Sequence, residues 1–200
     1  RRTGAELPSR VADNLYWLGR YIERAEGSAR LVRTVLNLIT SESEQGPELQ
    51  PLLRALAEQG QIEPDYAVSG LSDPLPDVRG ILPEAMFDAK LPRSVRSSIT
   101  NVVRLASIVR DRIAIDMWRT VQQIDQASQR PAGIDTLDAA AVLGILDDLI
   151  TELVAFAGLP AESMTRTQGW RFLDMGRRIE RTWQTAVLLR STLTEQTQWE

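Results

Sequence analysis

The chain has 200 residues, of which 43% are hydrophobic and 25% charged, and its formal net charge is −4. It contains no histidine and no cysteine, which excludes an imidazole base, a thiol nucleophile, a disulfide and a metal site built on either residue. The acidic balance argues against a nucleic-acid partner, and no apolar run reaches the roughly 20 residues of a membrane-spanning helix. We therefore expect a cytoplasmic protein that binds neither nucleic acid nor membrane.

The first third of the chain predicts one long helix followed by shorter elements. The long helix begins after Ser9, whose hydroxyl is a candidate N-cap, and runs to about Thr40 without a proline. A short helix is expected at 48–59. The segment 60–83 holds four prolines and three glycines, which predicts an irregular connection, and a helical turn follows at 84–89.

The middle of the chain predicts two further helices. From Pro92 to about Ile124 an apolar residue recurs every three or four positions, which indicates a single straight helix of about 48 Å. The next helix is expected to start from a cap at Asp135 or Thr136 and to stop at Gly158, since glycine commonly ends a helix.

The last helix, from about Trp170 almost to the end of the chain, repeats a phrase of the first one. Gly-Arg-x-Ile-Glu-Arg occupies residues 19–24 and again residues 176–181. Around each copy the apolar positions alternate steps of three and four, which predicts a buried stripe along each helix. We expect an all-α bundle of several long, roughly antiparallel helices, with a pseudo-repeat of the first and last long helices. The stripes are Leu15, Leu18, Ile22, Ala25, Ala29, Val32, Leu36 and Ile39 in the first helix, and Phe172, Met175, Ile179, Thr182, Ala186, Leu189 and Leu193 in the last.

The repeated phrase has two interpretations. Helical geometry places Glu23 and Glu180 on the shoulders of these stripes, and Gly19 and Gly176 leave room for close approach of another helix. In the structural interpretation, the glutamates accept hydrogen bonds from the motif arginines, crosswise between the two helices. In the functional one, they form a carboxylate pair for acid–base chemistry or for holding Mg²⁺. Structural ion pairs are the commoner outcome, so we favour the first interpretation and expect no metal. The motif arginines are Arg20, Arg24, Arg177 and Arg181.

Two further places are candidates for binding an anion. One is the polar face of the middle helix, with Arg93 and Arg104. The other is the segment before the last helix, with Arg166, Thr167 and Arg171, where a helix N-terminus supplies free N–H groups. A solvated polar face and ordinary helix capping explain the same residues, so both interpretations stay open.

Several segments, in order, carry a family resemblance. Residues 14–26 read Asn-Leu-Tyr-Trp-Leu-Gly-Arg-Tyr-Ile-Glu-Arg-Ala-Glu, and residues 169–181 read Gly-Trp-Arg-Phe-Leu-Asp-Met-Gly-Arg-Arg-Ile-Glu-Arg. Together with Leu-Pro-Ser-Arg-Val-Ala at 7–12, these segments resemble the bacterial alpha-E domain family, named for its helices and its Glu-Arg motif. The resemblance extends over nearly the whole chain and includes middle-helix segments at 92–95, 109–111 and 117–118.

The resemblance implies a partner rather than a catalytic residue. Members of this family are associated with, or fused to, circularly permuted ATP-grasp proteins, which join carboxylates to amines, and transglutaminase-like proteins are typical neighbours. We therefore expect residues 1–200 to be one helical domain excised from a longer, ATP-grasp-fused chain and truncated at its C-terminus. No catalytic residue is established for the family, so none is carried over.

Two functions follow from these expectations. The first is an accessory module that docks an ATP-grasp amide ligase or presents its substrate, with ATP and Mg²⁺ bound only by the partner and no cofactor in this domain. The alternative is an enzyme in its own right, which uses Glu23 and Glu180 with nearby arginines to modify a peptide or amide. The sequence leaves open whether the chain forms a homo-oligomer.

Overall fold

The computed structural model describes residues 7–41, 48–67, 78–131 and 138–193. Within these ranges the chain forms seven α-helices, one 3-10 turn at Pro64–Ala67 and no strand, so the predicted all-α class is confirmed. None of the helices in the described ranges combines the length and apolar character that crossing a membrane requires. The helices are α1 (Ser9–Thr40), α2 (Leu49–Glu58), α3 (Val78–Phe87), α4 (Val95–Ile108), α5 (Ile115–Ala127), α6 (Ala139–Ser163) and α7 (Gln168–Leu193).

Helix α1 is the central element of the bundle. It packs against α7, α4, α6, α2 and α3, whereas α5 packs mainly against α6 and α4. The whole stripe predicted for α1, from Leu15 to Ile39, is buried as expected. Each fully buried aliphatic side chain of this kind contributes about 1.5–3 kcal/mol, so the stripe accounts for much of the driving force for assembly.

The start of α1 differs from the prediction. Pro8, not Ser9, is the residue at the N-cap position, and no side chain caps the helix. The backbone carbonyl of Pro8 accepts hydrogen bonds from the N–H groups of Val11 and Ala12. The first turn is therefore closed by the backbone, and Ser9 is its first helical residue.

The single middle helix predicted over 92–124 is wrong. The chain forms two helices instead, α4 and α5, separated by a turn at 109–114. The apolar stripe continues through the turn, because Val109 and Ile113 are both buried. Residues 109–114 include neither proline nor glycine, so tertiary packing sets the position of the break. Helix α4 packs on α1, whereas α5 packs mainly on α6. Ser94, whose hydroxyl accepts a hydrogen bond from the N–H of Ser97, caps α4 in place of the expected start at Pro92.

Two other boundaries also differ from the prediction. Helix α6 continues through Gly158 to Ser163 and includes Pro160, so the predicted stop at Gly158 is wrong. The N-cap of α6 is Asp138, whose carboxylate accepts a hydrogen bond from the N–H of Ala141, while the candidates Asp135 and Thr136 lie outside the described residues. Helix α3 begins at Val78, within the segment expected to be irregular.

The buried face of α7 is not the predicted one. Met175, Ile179, Leu189 and Leu193 are 42%, 43%, 50% and 56% exposed. The face against α1 carries smaller and polar residues instead, since a close helix crossing requires small side chains at the contact. As a result, Glu180 lies on the buried face itself and not at its shoulder. The residues buried along α7 are Gly169, Leu173, Gly176, Glu180, Val187 and Ser191.

Candidate functional site

Helices α1 and α7 cross in close contact at the two motif glycines. A Cβ atom added to Gly19 would lie 3.1 Å from the backbone nitrogen of Arg177 and closer still to the carbonyl oxygen of Leu173. A Cβ added to Gly176 would lie 3.1 Å from the backbone nitrogen of Arg20, again with a carbonyl oxygen closer. The two contacts are reciprocal, and the contacts on either side of them, Gly169 with Leu15 and Gly27 with Gln184, advance in the same direction along both helices. Within the bundle, α1 and α7 therefore run parallel, with equivalent residues of the repeat facing each other.

The carboxylate of Glu180 is held by two arginines of α1. The Nε and Nη2 atoms of Arg24 donate to its two oxygens at 2.7 and 2.9 Å, and the Nε atom of Arg20 donates to Oε2. The Glu180 side chain is 0% exposed. The Arg24 pair has the two-bond geometry in which a guanidinium matches a carboxylate, which makes it the stronger of the two interactions.

The carboxylate of Glu23 is held in the same way by two arginines of α7. The Nε atom of Arg181 donates to Oε1, and the Nε atom of Arg177 donates to Oε2 at 3.3 Å. Arg177 also donates through Nη1 to the carbonyl oxygen of Ala157, at 3.1 Å, and so ties α6 to the crossing. Each glutamate thus receives arginines from the opposite helix, and the hydrogen bonds run crosswise.

Burial and charge act in opposite directions on Glu180. Burial alone would raise the pKa of its carboxyl group, but the hydrogen bonds and positive charges of Arg24 and Arg20 outweigh burial and hold that pKa below its usual value. Arg20 also donates to the hydroxyl of Tyr16 at 2.9 Å, and the Arg24 guanidinium lies 5.0 Å from the ring centroid of Tyr21. Glu180 is therefore an ionised partner of fixed cations near neutral pH and is poorly suited to proton transfer there.

The two halves of the crossing differ in their access to solvent. Glu23 borders two surface grooves of about 770 and 580 Å³, and both are also lined by Arg181, whose side chain is 61% exposed. Glu180 has no exposed side-chain surface, and the Glu23 side chain is 6% exposed, so the difference lies mainly in their arginine partners. The two glutamates therefore do not form a shared carboxylate pair open to one substrate. A ligand that contacts this crossing meets Arg181 first, with the small exposed part of Glu23 beside it.

The other predicted site residues lie in three separate places. Arg93 precedes α4 and stacks on the ring of Trp183 at 4.9 Å; burial first, and then the charge of Arg24, lower its pKa. Arg104 lies on the exposed face of α4 and donates to the side-chain oxygen of Asn101. The remaining three, Arg166, Thr167 and Arg171, lie around the start of α7.

The segment before α7 shows local contacts rather than a cradle for an anion. The guanidinium of Arg166 lies 5.5 Å from the ring centroid of Trp170. The hydroxyl of Thr167 donates to the carbonyl oxygen of Thr165 at 3.3 Å, and Arg171 is exposed. The five candidate anion-binding residues are not brought together into one site.

Two residues of the crossing were missed from the sequence. Gln184 packs against Gly27, and its Nε2 atom donates to the backbone oxygen of Arg24 at 3.4 Å. Trp183 receives the stacked Arg93. A signal for Gln184 was present, because Gly27 and Gln184 have the same sequence offset as Gly19 and Gly176 and so face each other in a parallel repeat.

The described residues hold no group of three or more His, Cys, Asp or Glu side chains that could hold a metal ion. The fold and the crossing define a class of protein. It is an all-α domain with two parallel helices that each carry a Glu-Arg motif, and the arginines of one helix neutralise the glutamate of the other. The family model for Alpha-E, described as a predicted alpha-helical domain with a conserved ER motif, matches residues 7–200. The chain belongs to the Alpha-E family.

Two curated relatives of the chain are mycobacterial proteins whose names state no function. The chain is 29% identical over 203 residues to the uncharacterised protein Rv2567 of Mycobacterium tuberculosis (strain ATCC 25618 / H37Rv), and 29% identical to the uncharacterised protein Mb2597 of Mycobacterium bovis (strain ATCC BAA-935 / AF2122/97). Each alignment covers 96% of this chain and 23% of the relative. The chain therefore spans about a quarter of the length of these relatives. No solved structure shows a significant match to it.

Proposed function

We propose that this domain is a non-catalytic interaction module of a circularly permuted ATP-grasp ligase system, in which it docks the ligase or presents its substrate. The proposal rests on the observation that the charged residues of the motif pair with one another inside the fold. Each motif glutamate is neutralised by two arginines of the opposite helix, and Glu180 is sealed from solvent. A motif used in this way aligns two helices and leaves the chemistry to another protein.

The choice of partner rests on the family resemblance described above. In the curated relatives the matched region is about a quarter of a longer chain, so further polypeptide accompanies this domain there. In the proposed system the ligase binds ATP and Mg²⁺ in the cytoplasm, activates a carboxylate as an acyl phosphate and transfers the acyl group to an amine. The helical domain contributes binding surface only.

The proposal is tested with a purified circularly permuted ATP-grasp ligase, the partner that the proposal names. ATP turnover and amide product are measured with and without the 200-residue chain, and association is measured by isothermal titration calorimetry. We expect saturable binding and a higher kcat/KM in the presence of the chain. Unchanged turnover together with no heat of binding would contradict the proposal.

A second candidate function is an enzyme that works at the half of the crossing that borders the grooves. It is favoured by one observation, that Glu23 borders two grooves. The version that uses both glutamates lacks support, because the Glu180 side chain is not exposed. If Glu23→Gln abolished turnover of a peptide or amide substrate without lowering the melting temperature, the enzyme hypothesis would replace the module.

A further inference from the structure

The outer face of α7 carries an apolar stripe that no described element covers. This outer stripe consists of six residues at helical spacing, and its four large apolar members are 42–56% exposed. Its C-terminal part lines a groove of about 770 Å³ shared with Glu23, and its N-terminal part lines a groove of about 750 Å³ beside the start of α1. An exposed apolar strip of this length with a charged border is typical of a protein interaction site. Its members are Met175, Ile179, Thr182, Ala186, Leu189 and Leu193.

The pseudo-repeat identifies what kind of element covers such a stripe. Each residue of the outer stripe has a counterpart 157 positions earlier on α1. Every one of these counterparts is 3% exposed or less, and the helices that pack on α1 beside α7 include α4 and α6. The α1 copy of the stripe is therefore covered by helices, whereas the α7 copy is open. The counterparts are Leu18, Ile22, Ala25, Ala29, Val32 and Leu36.

Helix α6 shows the charge of a suitable covering helix. It has four acidic residues and no basic one, and its apolar residues Leu146, Leu149 and Leu153 are fully buried. Asp147 of α6 accepts a hydrogen bond from Arg33 of α1 at 2.7 Å. Arg33 is the repeat counterpart of Arg190, so the repeat places a basic residue beside the stripe on both helices.

The border of the outer stripe is basic although the whole chain is acidic. Four exposed arginines lie along the outer part of α7. Three of them also pair with a carboxylate of this chain: Arg178 with Asp174, Arg181 with Glu23 and Arg190 with Glu58. The guanidinium groups nevertheless remain largely exposed, at 61–76% of their side-chain surface. Two copies of this face would oppose like charges, so a second copy of the chain is a poor occupant. A helix with acidic residues beside its apolar stripe matches both the apolar surface of the outer stripe and the positive charge of its border. The arginines are Arg171, Arg178, Arg181 and Arg190.

We propose that the outer stripe of α7 binds an amphipathic helix with acidic flanks, supplied by the partner protein, in the position that α6 occupies on α1. Only the identity of the protein that supplies the helix rests on the proposed function. The docking surface itself follows from the open stripe, its covered counterpart and its basic border.

The test uses the 200-residue chain and two fluorescein-labelled synthetic peptides, read by fluorescence anisotropy. Both peptides have about three heptads with Leu at positions a and d; one has Glu and the other Lys at positions e and g. We expect saturable binding of the Glu peptide, at least about ten-fold tighter than the Lys peptide, and a loss of this preference as salt is added. Equal affinity for the two peptides, or no binding of the Glu peptide, overturns the proposal.

Surface variants locate the binding site. Ile179→Ser and Leu189→Ser should each weaken binding of the Glu peptide about five- to ten-fold, and Arg178→Glu should weaken it while favouring the Lys peptide. Ile108→Ser is the matched control, because Ile108 is 53% exposed on α4. Circular dichroism melting shows that each variant is folded. An equal effect of Ile108→Ser contradicts the assignment of the site.

Sedimentation velocity over a range of concentrations tests the alternative occupant. A monomer is expected. A dimer that Ile179→Ser dissociates would identify a second copy as the occupant and overturn the proposal. The peptide assay contains no ligase, so its result does not depend on the ligase experiment. A negative ligase experiment contradicts the proposed function only, and a negative peptide assay contradicts the docking surface only.

Discussion

Gly19 and Gly176 occupy equivalent positions on the two sides of one helix crossing. Each glycine lies against the backbone of the opposite helix, where an added Cβ would meet main-chain atoms and not a movable side chain. This close approach brings the motif arginines of each helix within hydrogen-bonding distance of the glutamate on the other. The glycines and the charged residues of the motif therefore form one structural unit, the helix crossing.

Alanine at either motif glycine should destabilise the protein. The helix-propensity gain of about 1 kcal/mol is outweighed by the clash with backbone atoms, so we expect Gly19→Ala and Gly176→Ala each to lower the free energy of unfolding by about 1–3 kcal/mol. Gly144→Ala and Gly158→Ala in α6 are the matched controls, because nothing lies within 4 Å of an added Cβ at either position. The controls should be neutral or stabilising in urea denaturation. A stabilised Gly19→Ala protein would contradict the close crossing.

The two motif glutamates should differ in their effect on stability. Glu180→Gln leaves Arg20 and Arg24 without a charged partner at a sealed position, which should cost about 3–5 kcal/mol. Glu23→Gln should cost less, about 1–2 kcal/mol, since Arg181 is largely exposed and water replaces the lost partner. Chemical denaturation of both variants measures the difference. Equal costs would mean that the two halves are equally closed.

The low pKa of Glu180 predicts a specific acid sensitivity. The folded-state pKa lies below the ordinary value of 4.5, so the ionised carboxylate stabilises the folded protein above pH 4.5. That stabilisation is lost progressively as the pH falls below this value towards the folded-state pKa. The melting temperature should therefore fall over this range, and Glu180→Gln should remove part of the fall. Glu162→Gln, at an exposed position of α6, serves as the control and should leave the profile unchanged.

Lysine at position 24 should not restore the stability that Arg24 provides. Arg24 donates two hydrogen bonds to the Glu180 carboxylate, and a single ammonium group lacks the planar fork that makes both. We expect Arg24→Lys to lower the free energy of unfolding by about 1.5–3 kcal/mol. Arg181→Lys, at the exposed end of the other pair, should cost less than about 1 kcal/mol. Thermal melts of the two variants under the same buffer conditions test the contrast.

Residue spacing was enough to predict the all-α class and the approximate positions of the helices. It predicted which face of each helix is buried only in part. The stripe of α1 is buried as expected, because α1 lies at the centre and has neighbours on several sides. The stripe of α7 is open, since spacing identifies an apolar face but not the neighbour that covers it. The α4–α5 break was missed for a related reason, because no residue in that stretch disfavours a helix and the break follows from packing on two different helices.

By itself, the sequence determined the all-α class, the repeat and the six charged residues of the motif, because helical periodicity and a repeated phrase are local properties of the chain. The parallel direction of α1 and α7, the particular arginines that hold each glutamate and the complete burial of the Glu180 side chain were decided by the tertiary structure. The physical reason is that desolvation depends on what packs over a group. Arg20, Arg24 and the surrounding helices enclose one glutamate, while its repeat counterpart, Glu23, borders open grooves.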